Sequence, residues 1–244
     1  MKWLRNLSIA AKLVLAFLFM AIIAGSVGVV GIINIDRMGQ NDADLYDVHT
    51  QGISYNAYAE SYFQKTRFDA LKMTVTRDEK TREQCVQNVN EYMEKTDQYL
   101  ALYEGTIDNA DAQGMYDTIR NSWNMYKTFV DSALGLVSSG DPEQAQNLLL
   151  SFASATAADL QDQFDALGTY NSDQAQAASN RNIQAAERST FITIIIVAAA
   201  VILAVVLAIG ISRMISRPVK KIAAGASLLA KGQTDITLID YSSR

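Results

Sequence analysis

Two stretches of the chain are apolar without interruption. Residues 13–33 and residues 191–211 carry no charged side chain over 21 positions each. At about 1.5 Å per helical residue, such a run reaches across a hydrocarbon core of about 30 Å. The pattern therefore predicts two membrane-spanning helices, over residues 13–35 and 191–211. A cleaved signal peptide is the alternative for the first run, although its apolar part exceeds the usual length of about 7–15 residues.

Between these runs, apolar residues recur at intervals of three and four, which predicts helices. The predicted helices cover about 36–76, 79–104, 109–138 and 142–190. Turn signals separate them, and the clearest is Asp141 as an N-cap followed by Pro142 in the first turn. Short turns between long helices predict an all-α, up-down-up-down four-helix bundle whose first and last helices continue into the membrane runs.

The same periodicity predicts which residues face the bundle core. The stripe of the first helix is Leu45, Val48, Gly52, Tyr55, Ala59, Tyr62, Thr66, Ala70 and Met73, and that of the last begins with Leu148, Leu149, Phe152, Thr156, Leu160, Phe164, Leu167 and Tyr170.

Charge is distributed unevenly along the chain. Residues outside 36–190 include nine basic and two acidic side chains, so the 36–190 segment holds 12 basic and 24 acidic ones. Basic residues beside a span mark the cytoplasmic side. We therefore expect an inner or plasma membrane protein with 1–12 and 212–244 in the cytoplasm and 36–190 outside. An acidic exterior also argues against nucleic acid as a partner.

The segment after the second run contains a proline and a glycine at informative positions. Pro218 lacks a backbone N–H and is predicted to break the helix that leaves the membrane. Val219, Ile222, Ala226 and Leu229 then form a short coiled-coil stripe, and Gly232 is predicted to stop that helix. We expect Pro218 and Gly232 to take part in signal transmission between the two sides of the membrane.

Two motifs resemble a known family. The pattern Pro218-Val219-x-x-Ile222 … Leu229-Ala230-x-Gly232-x-x-Asp235-Ile236 resembles the first helix and connector of a HAMP domain, and "NLSIAAKLVLAFLFMAIIAGSVGVVGIINIDRM" resembles the opening of the four-helix-bundle sensors of methyl-accepting chemotaxis proteins. The resemblance implies a bacterial chemoreceptor in which 212–244 is a partial HAMP domain. It also implies a cytoplasmic histidine kinase and an adaptor, reached through residues after Arg244.

The resemblance also suggests a ligand site. Amino-acid-sensing relatives carry Thr-Arg-x4-Arg-x3-Arg near the far end of the first outer helix, where basic groups clamp a ligand carboxylate across a dimer interface. Thr66, Arg67 and Lys72 match that pattern, and Arg77 lies one position beyond its last basic residue. An amino acid or organic acid is the expected small-molecule ligand, and solvated surface charges are the alternative. The weak apolar stripe before the second span also suggests a parallel homodimer.

The same sequence pattern fits other functions. The same layout serves as the input region of a sensor histidine kinase or a diguanylate cyclase, and a membrane coiled coil without a ligand is a third possibility. No catalytic motif occurs, and His49 has no second ligand at metal spacing, so we expect neither an enzyme, a cofactor nor a metal. Cys85 is the sole cysteine, and a buried thiol is favoured over a bridge between chains.

Overall fold

The computed structural model describes residues 8–230. Its elements are α1 (Ile9–Asp44), a first π-helical segment (Leu45–Thr50), α2 (Gln51–Val75), α3 (Glu79–Glu104), α4 (Ala110–Ser138), α5 (Pro142–Asn147), a second π-helical segment (Leu148–Phe152) and α6 (Ala153–Ala230). No strand occurs among the described residues. The predicted all-α four-helix fold is confirmed, and helix boundaries within the bundle fall within about one residue of those expected.

The chain divides into two compact units. The first contains the described residues up to Met38 and from Ala185 onwards. It includes the apolar parts of two helices that are long and apolar enough to cross a membrane, and these parts are not buried by protein. Within this unit Asn34 Nδ2 donates a hydrogen bond to Thr193 Oγ1 at 3.4 Å. Hydrogen bonds between polar side chains are one of the interactions that hold apolar helices together in a membrane.

The second unit, Gly39–Gln184, is the bundle. Its turns use the residues that the sequence indicated. Asp78, Asn109 and Asp141 cap the helices that follow them by accepting hydrogen bonds from backbone N–H groups three residues later. Gly140 has φ +87°, a left-handed conformation that glycine adopts at low cost, where α4 ends. These turns connect antiparallel neighbours.

Aromatic side chains from three helices form the centre of the bundle. Phe63 of α2 meets Trp123 and Tyr126 of α4 edge to face, with ring centroids 6.1 and 5.4 Å apart. Phe164 of α6 lies 5.8 Å from Phe63. Phe63, Trp123 and Phe164 are fully buried, and rings of this size account for much of the apolar surface removed from water.

Two details of the predicted core stripes are wrong. On α2, Asn56 and Phe63 are buried, whereas Tyr55 and Tyr62 lie at the margin and stack near Tyr99 of α3. In the last helix, Phe152 is exposed, and the inward positions are Ala145, Leu149, Ala153 and Ala157, four residues apart. The second π-helical segment supplies the wider turn that this spacing needs, so an α-helical periodicity misassigns Phe152.

The predicted helix break at Pro218 is also wrong, because α6 continues through this residue. Proline removes one hydrogen bond and crowds the preceding turn, a cost of about 3 kcal/mol that one residue can impose without ending a long helix whose neighbouring turns stay bonded. Gly232, predicted to stop the helix, lies outside the described residues.

Candidate functional site

The outward surface of α2 combines basic, aromatic and aliphatic side chains. We call Ser61, Lys65, Phe68, Lys72 and Val75 the α2 outer face; they recur every three or four positions and all are exposed. Phe68 is 66% exposed, which is unusual for a large aromatic side chain. Two ammonium groups one heptad apart therefore flank an uncovered ring.

Two shallow cavities border this face. One, of about 610 Å³, lies between α2 and α3 and is lined by Lys65, Phe68 and Tyr92 among others. The other, of about 420 Å³, lies between α2 and the start of the fourth helix, where Lys72 and Leu150 take part in its wall. Phe68 lines both cavities. Volumes of this size suit small organic molecules.

The lysines lie close to aromatic rings. Lys65 Nζ is 4.4 Å from the centroid of Tyr62, and Lys72 Nζ is 5.8 Å from that of Phe68. Both distances fit cation–π contacts. Neither lysine is held in one of the ion pairs found among residues 8–230, so each keeps donors for an incoming anion.

A nearly buried carboxylate, that of Asp69, lines the same cavity as Lys65. Asp69 is 6% exposed and accepts a hydrogen bond from Asn88 Nδ2 at 2.7 Å. Its charge also reaches Cys85. Burial raises the pKa of the Cys85 thiol, Asp69 raises it further, and Lys72 opposes both effects. The thiol therefore stays protonated, and its buried position is the one expected.

Arg67 lines neither cavity, although its partner Gln64 lines the one between α2 and α3. Its Nη1 donates to Gln64 Oε1 at 3.0 Å, and its guanidinium lies 5.5 Å from the centroid of Phe63. Gln64 in turn contacts Gln161 of α6. Arg67 therefore belongs to a polar contact between the first and last helices of the bundle.

Thr66 and Arg77 also line neither of the two cavities. Thr66 is fully buried, and its hydroxyl donates to the Tyr62 carbonyl at 2.9 Å. Arg77 is exposed in the connection between α2 and α3. Arg82 holds this connection by donating from Nη2 to the Thr76 carbonyl at 2.7 Å.

A single chain therefore does not gather the four predicted site residues around one cavity. Lys72 borders a cavity, while Arg67 and Thr66 lie on other sides of α2, since five or six residues rotate a helix well away from the starting face. The sequence-based candidates do not include Lys65 and Phe68, which line the cavity between α2 and α3. Their spacing in the sequence could have indicated them, because Lys65, Phe68 and Lys72 share one helical face.

Comparison with known proteins decides the family. A family model described as a four helix bundle sensory module for signal transduction matches residues 6–186. The chain belongs to this family. The match to a sensory module agrees with the resemblance drawn from the opening residues and with the bundle geometry.

Two relatives of this sensory module carry informative names. A protein of Acetivibrio thermocellus named as a sensory transducer is 31% identical over 170 residues, 70% of this chain and 30% of the relative. A Bacillus subtilis protein named as the sensory transducer YvaQ is 25% identical over 234 residues, 93% of this chain and 40% of the relative. The chain thus spans less than half the length of either. No solved structure matches it significantly.

Proposed function

We propose that the chain is the sensor region of a transmembrane chemoreceptor, a methyl-accepting chemotaxis protein, and that it detects a small organic anion outside the cell. The observation that carries this proposal is the α2 outer face, where Lys65 and Lys72 flank the exposed ring of Phe68 beside two cavities. The transducer names of the relatives favour a chemoreceptor over the input region of a histidine kinase or diguanylate cyclase.

The chemistry of this face suits a carboxylate that has an apolar body. An ammonium group binds a carboxylate as a point charge, and Phe68, Val75 and Leu150 offer apolar surface beside Lys72. Arg77 extends the positive charge toward the end of the bundle. Arg67 would join such a site only if its guanidinium left Gln64, and the buried Thr66 serves the core.

A homodimer would complete the site. A second copy packed on the α2 outer face would cover Phe68, Val75 and Leu150, which are each more than half exposed in one chain. It would also set two groups of lysines against each other, a repulsion that an anionic ligand relieves. Ligand binding would therefore shift the equilibrium between packings by its difference in affinity for them.

Signal output would occur on the other side of a lipid bilayer. We place residues 36–190 outside the cell and both termini in the cytoplasm, because basic residues flank the two apolar helices. The segment 212–244 would act as the start of a HAMP domain. Residues after Arg244 would reach a histidine kinase and its adaptor, in keeping with the greater length of the relatives.

Calorimetric titration of the full chain in lipid nanodiscs tests the ligand chemistry, with benzoate and acetate as probes. We expect benzoate to bind more tightly than acetate because of its ring, and Lys72→Gln to weaken benzoate binding about tenfold by removing one charged contact. Lys95→Gln is the control, since Lys95 Nζ bonds Gln98 on the exposed side of α3. Equal binding by wild type and Lys72→Gln would refute the site.

A further inference from the structure

A separate cavity lies at the opposite end of the bundle from the α2–α3 turn. The end of α1, the first π-helical segment, the connection between α3 and α4, and α6 border an open cavity of about 420 Å³. Asp44, Asp108 and Arg181 line it together with His49. None of these residues belongs to the α2 outer face, so the cavity is independent of the site proposed above.

The charged groups of this cavity do not neutralise one another. The ion pairs within residues 8–230 are Arg82–Glu79, Arg120–Asp97 and Lys127–Asp97, so the Arg181 guanidinium lies more than 4.0 Å from the carboxylates of Asp44 and Asp108. Asp44, Asp108 and Arg181 are exposed, and these opposite charges border one cavity without contact. A molecule that carries both signs can satisfy them together, whereas a simple anion or cation satisfies one side only.

A buried polar group lies in a small recess beside this cavity, and the recess has room for about one water molecule. Asn171 is 8% exposed, and its Oδ1 accepts a hydrogen bond from the Tyr103 hydroxyl at 3.1 Å. Its Nδ2 has no acceptor in the structure. Leaving such a donor unpaired costs about 1–3 kcal/mol. Asn171 lines a recess of about 10 Å³ that shares Val48, His49 and Asp108 with the larger cavity.

The wall of the cavity is the first π-helical segment itself. Leu45, Val48 and His49 all lie in this segment and all line the cavity. The Thr50 hydroxyl donates to the carbonyl of Leu45, five residues earlier, at 3.1 Å. π-Helical turns are rare and occur frequently at functional sites.

We propose that this cavity is a second ligand site, which binds a small zwitterion. The carboxylate of the ligand bonds the Arg181 guanidinium, which offers a planar fork of donors, and its ammonium group bonds Asp44 and Asp108. Val48 and Ala178 supply the apolar part of the wall.

The test uses the sole histidine of the chain, His49, as a reporter. Histidine-labelled full chain in lipid nanodiscs is titrated at constant pH with glycine, β-alanine and γ-aminobutyrate, which differ in the spacing of their charges. Acetate and methylammonium carry one charge each and serve as controls. We expect a saturable shift of the His49 NMR signal with at least one zwitterion, and no saturable shift with either control.

Five variants locate the binding. Arg181→Gln and Asp44→Asn should each weaken the zwitterion about tenfold, because each removes one charged hydrogen bond. Arg188→Gln, one heptad further along α6, and Asp42→Asn on α1 lie outside the cavity and should change affinity less than twofold. Lys72→Gln should also have no effect, which separates this outcome from the benzoate titration.

Three results would overturn the proposal. The first is the absence of a saturable shift with all three zwitterions up to about 10 mM, a concentration that corresponds to negligible affinity. The second is binding of acetate or methylammonium as tight as that of the zwitterions, which would contradict the ligand class. The third is binding that Arg181→Gln and Asp44→Asn leave unchanged, which would put the zwitterion elsewhere.

Discussion

Asp97 of α3 illustrates how one residue fixes the relation between two helices. Its carboxylate accepts hydrogen bonds from Arg120, Trp123 Nε1 and Lys127, all on α4, at 2.7–3.2 Å. The ion pairs are partly solvated and so contribute modestly. The bond to Trp123 matters more, because Trp123 is fully buried and has no water to replace Asp97.

Replacing Asp97 should therefore destabilise the bundle. We expect Asp97→Ala to lower the free energy of unfolding by about 1–3 kcal/mol, since it leaves the Trp123 N–H unpaired. Asp97→Asn should cost less, because the amide oxygen still accepts from Trp123. Urea unfolding followed by tryptophan fluorescence measures both. Asp131→Ala, at an exposed position of α4, is the control; a loss as large as that of Asp97→Ala would contradict this account.

Tyr126 gives the bundle a sensitivity to alkaline pH. Burial raises the pKa of Tyr126 from 10.0 to about 12, and the charge of Arg67 acts in the opposite direction. A folded-state pKa above the unfolded value means that the stabilisation is complete below pH 10 and is lost as the pH rises from 10 through about 12.

Tyr126→Phe should reduce the loss of folding stability at alkaline pH. The Tyr126 hydroxyl makes no hydrogen bond to another residue within 8–230, so the variant should match wild type near neutral pH and retain about 1–3 kcal/mol more stability above pH 11. Urea unfolding at both pH values measures the difference. The exposed Tyr46→Phe serves as control. Parallel pH curves for wild type and Tyr126→Phe would exclude burial of the phenol as the cause.

At the scale of elements, the second π-helical segment sets the register of the last helix. It allows Ala145, Leu149, Ala153 and Ala157 to face the core at intervals of four, while Phe152 points to the surface. A π-helical turn holds one residue more than the α-helical turn it replaces. Removing one exposed residue there should let the segment become α-helical without rotating the residues that follow.

Deletion of Ser151 tests this directly. We expect the shortened chain to unfold cooperatively, with a loss of about 2 kcal/mol or less. Deletion of Ser132, exposed within the regular helix α4, rotates the following residues by about 100° and should abolish cooperative unfolding. Thermal unfolding measured by circular dichroism distinguishes the two deletions. Equal damage from both would show that the π-helical turn does not absorb the change.

Pro218 is a second local irregularity in the last helix, and it lies outside the bundle unit. The helix continues through Pro218 but lacks one backbone hydrogen bond there. Pro218→Ala restores an N–H and should stiffen this turn. In a full-length receptor we expect altered kinase output, while benzoate affinity stays that of wild type. Unchanged output across benzoate concentrations would remove Pro218 from signal transmission.

For the whole molecule, the two apolar runs and the acidic segment between them predict how the chain is oriented across the membrane. The described apolar helices are not covered by protein, and the acidic segment 36–190 lies between them. Cys85 is the sole cysteine and is buried, so the native chain gives a low background for thiol labelling. Engineered cysteines can therefore report the location of each segment.

Labelling intact cells with a membrane-impermeant maleimide measures this topology. We expect Ser138→Cys, exposed at the end of α4, to react, and Ser8→Cys, exposed before α1, to react only after the membrane is permeabilised. The unmodified chain is the control. Reaction of Ser8→Cys in intact cells, or protection of Ser138→Cys, would reverse or refute the proposed orientation.

The sequence alone determined the two apolar runs and, within the bundle, the helices and the turns between them. These features depend on local chemistry: an Asp or Asn side chain caps the N–H groups beside it, and an apolar periodicity of three and four needs no knowledge of the partner helix. The family resemblance suggested Lys72 as a site candidate, and the helical spacing of the sequence contained the shared face of Lys65, Phe68 and Lys72.

Only the tertiary structure decided the remaining features. Whether Phe63 or Tyr62 enters the core depends on rings contributed by α4 and α6, and the π-helical turns arise where packing overrides the α-helical period. The cavity at His49 joins residues from position 41 to position 182, so no local pattern contains it. Burial of Thr66 and the contact of Arg67 with Gln64 likewise depend on which sides of α2 the other helices cover.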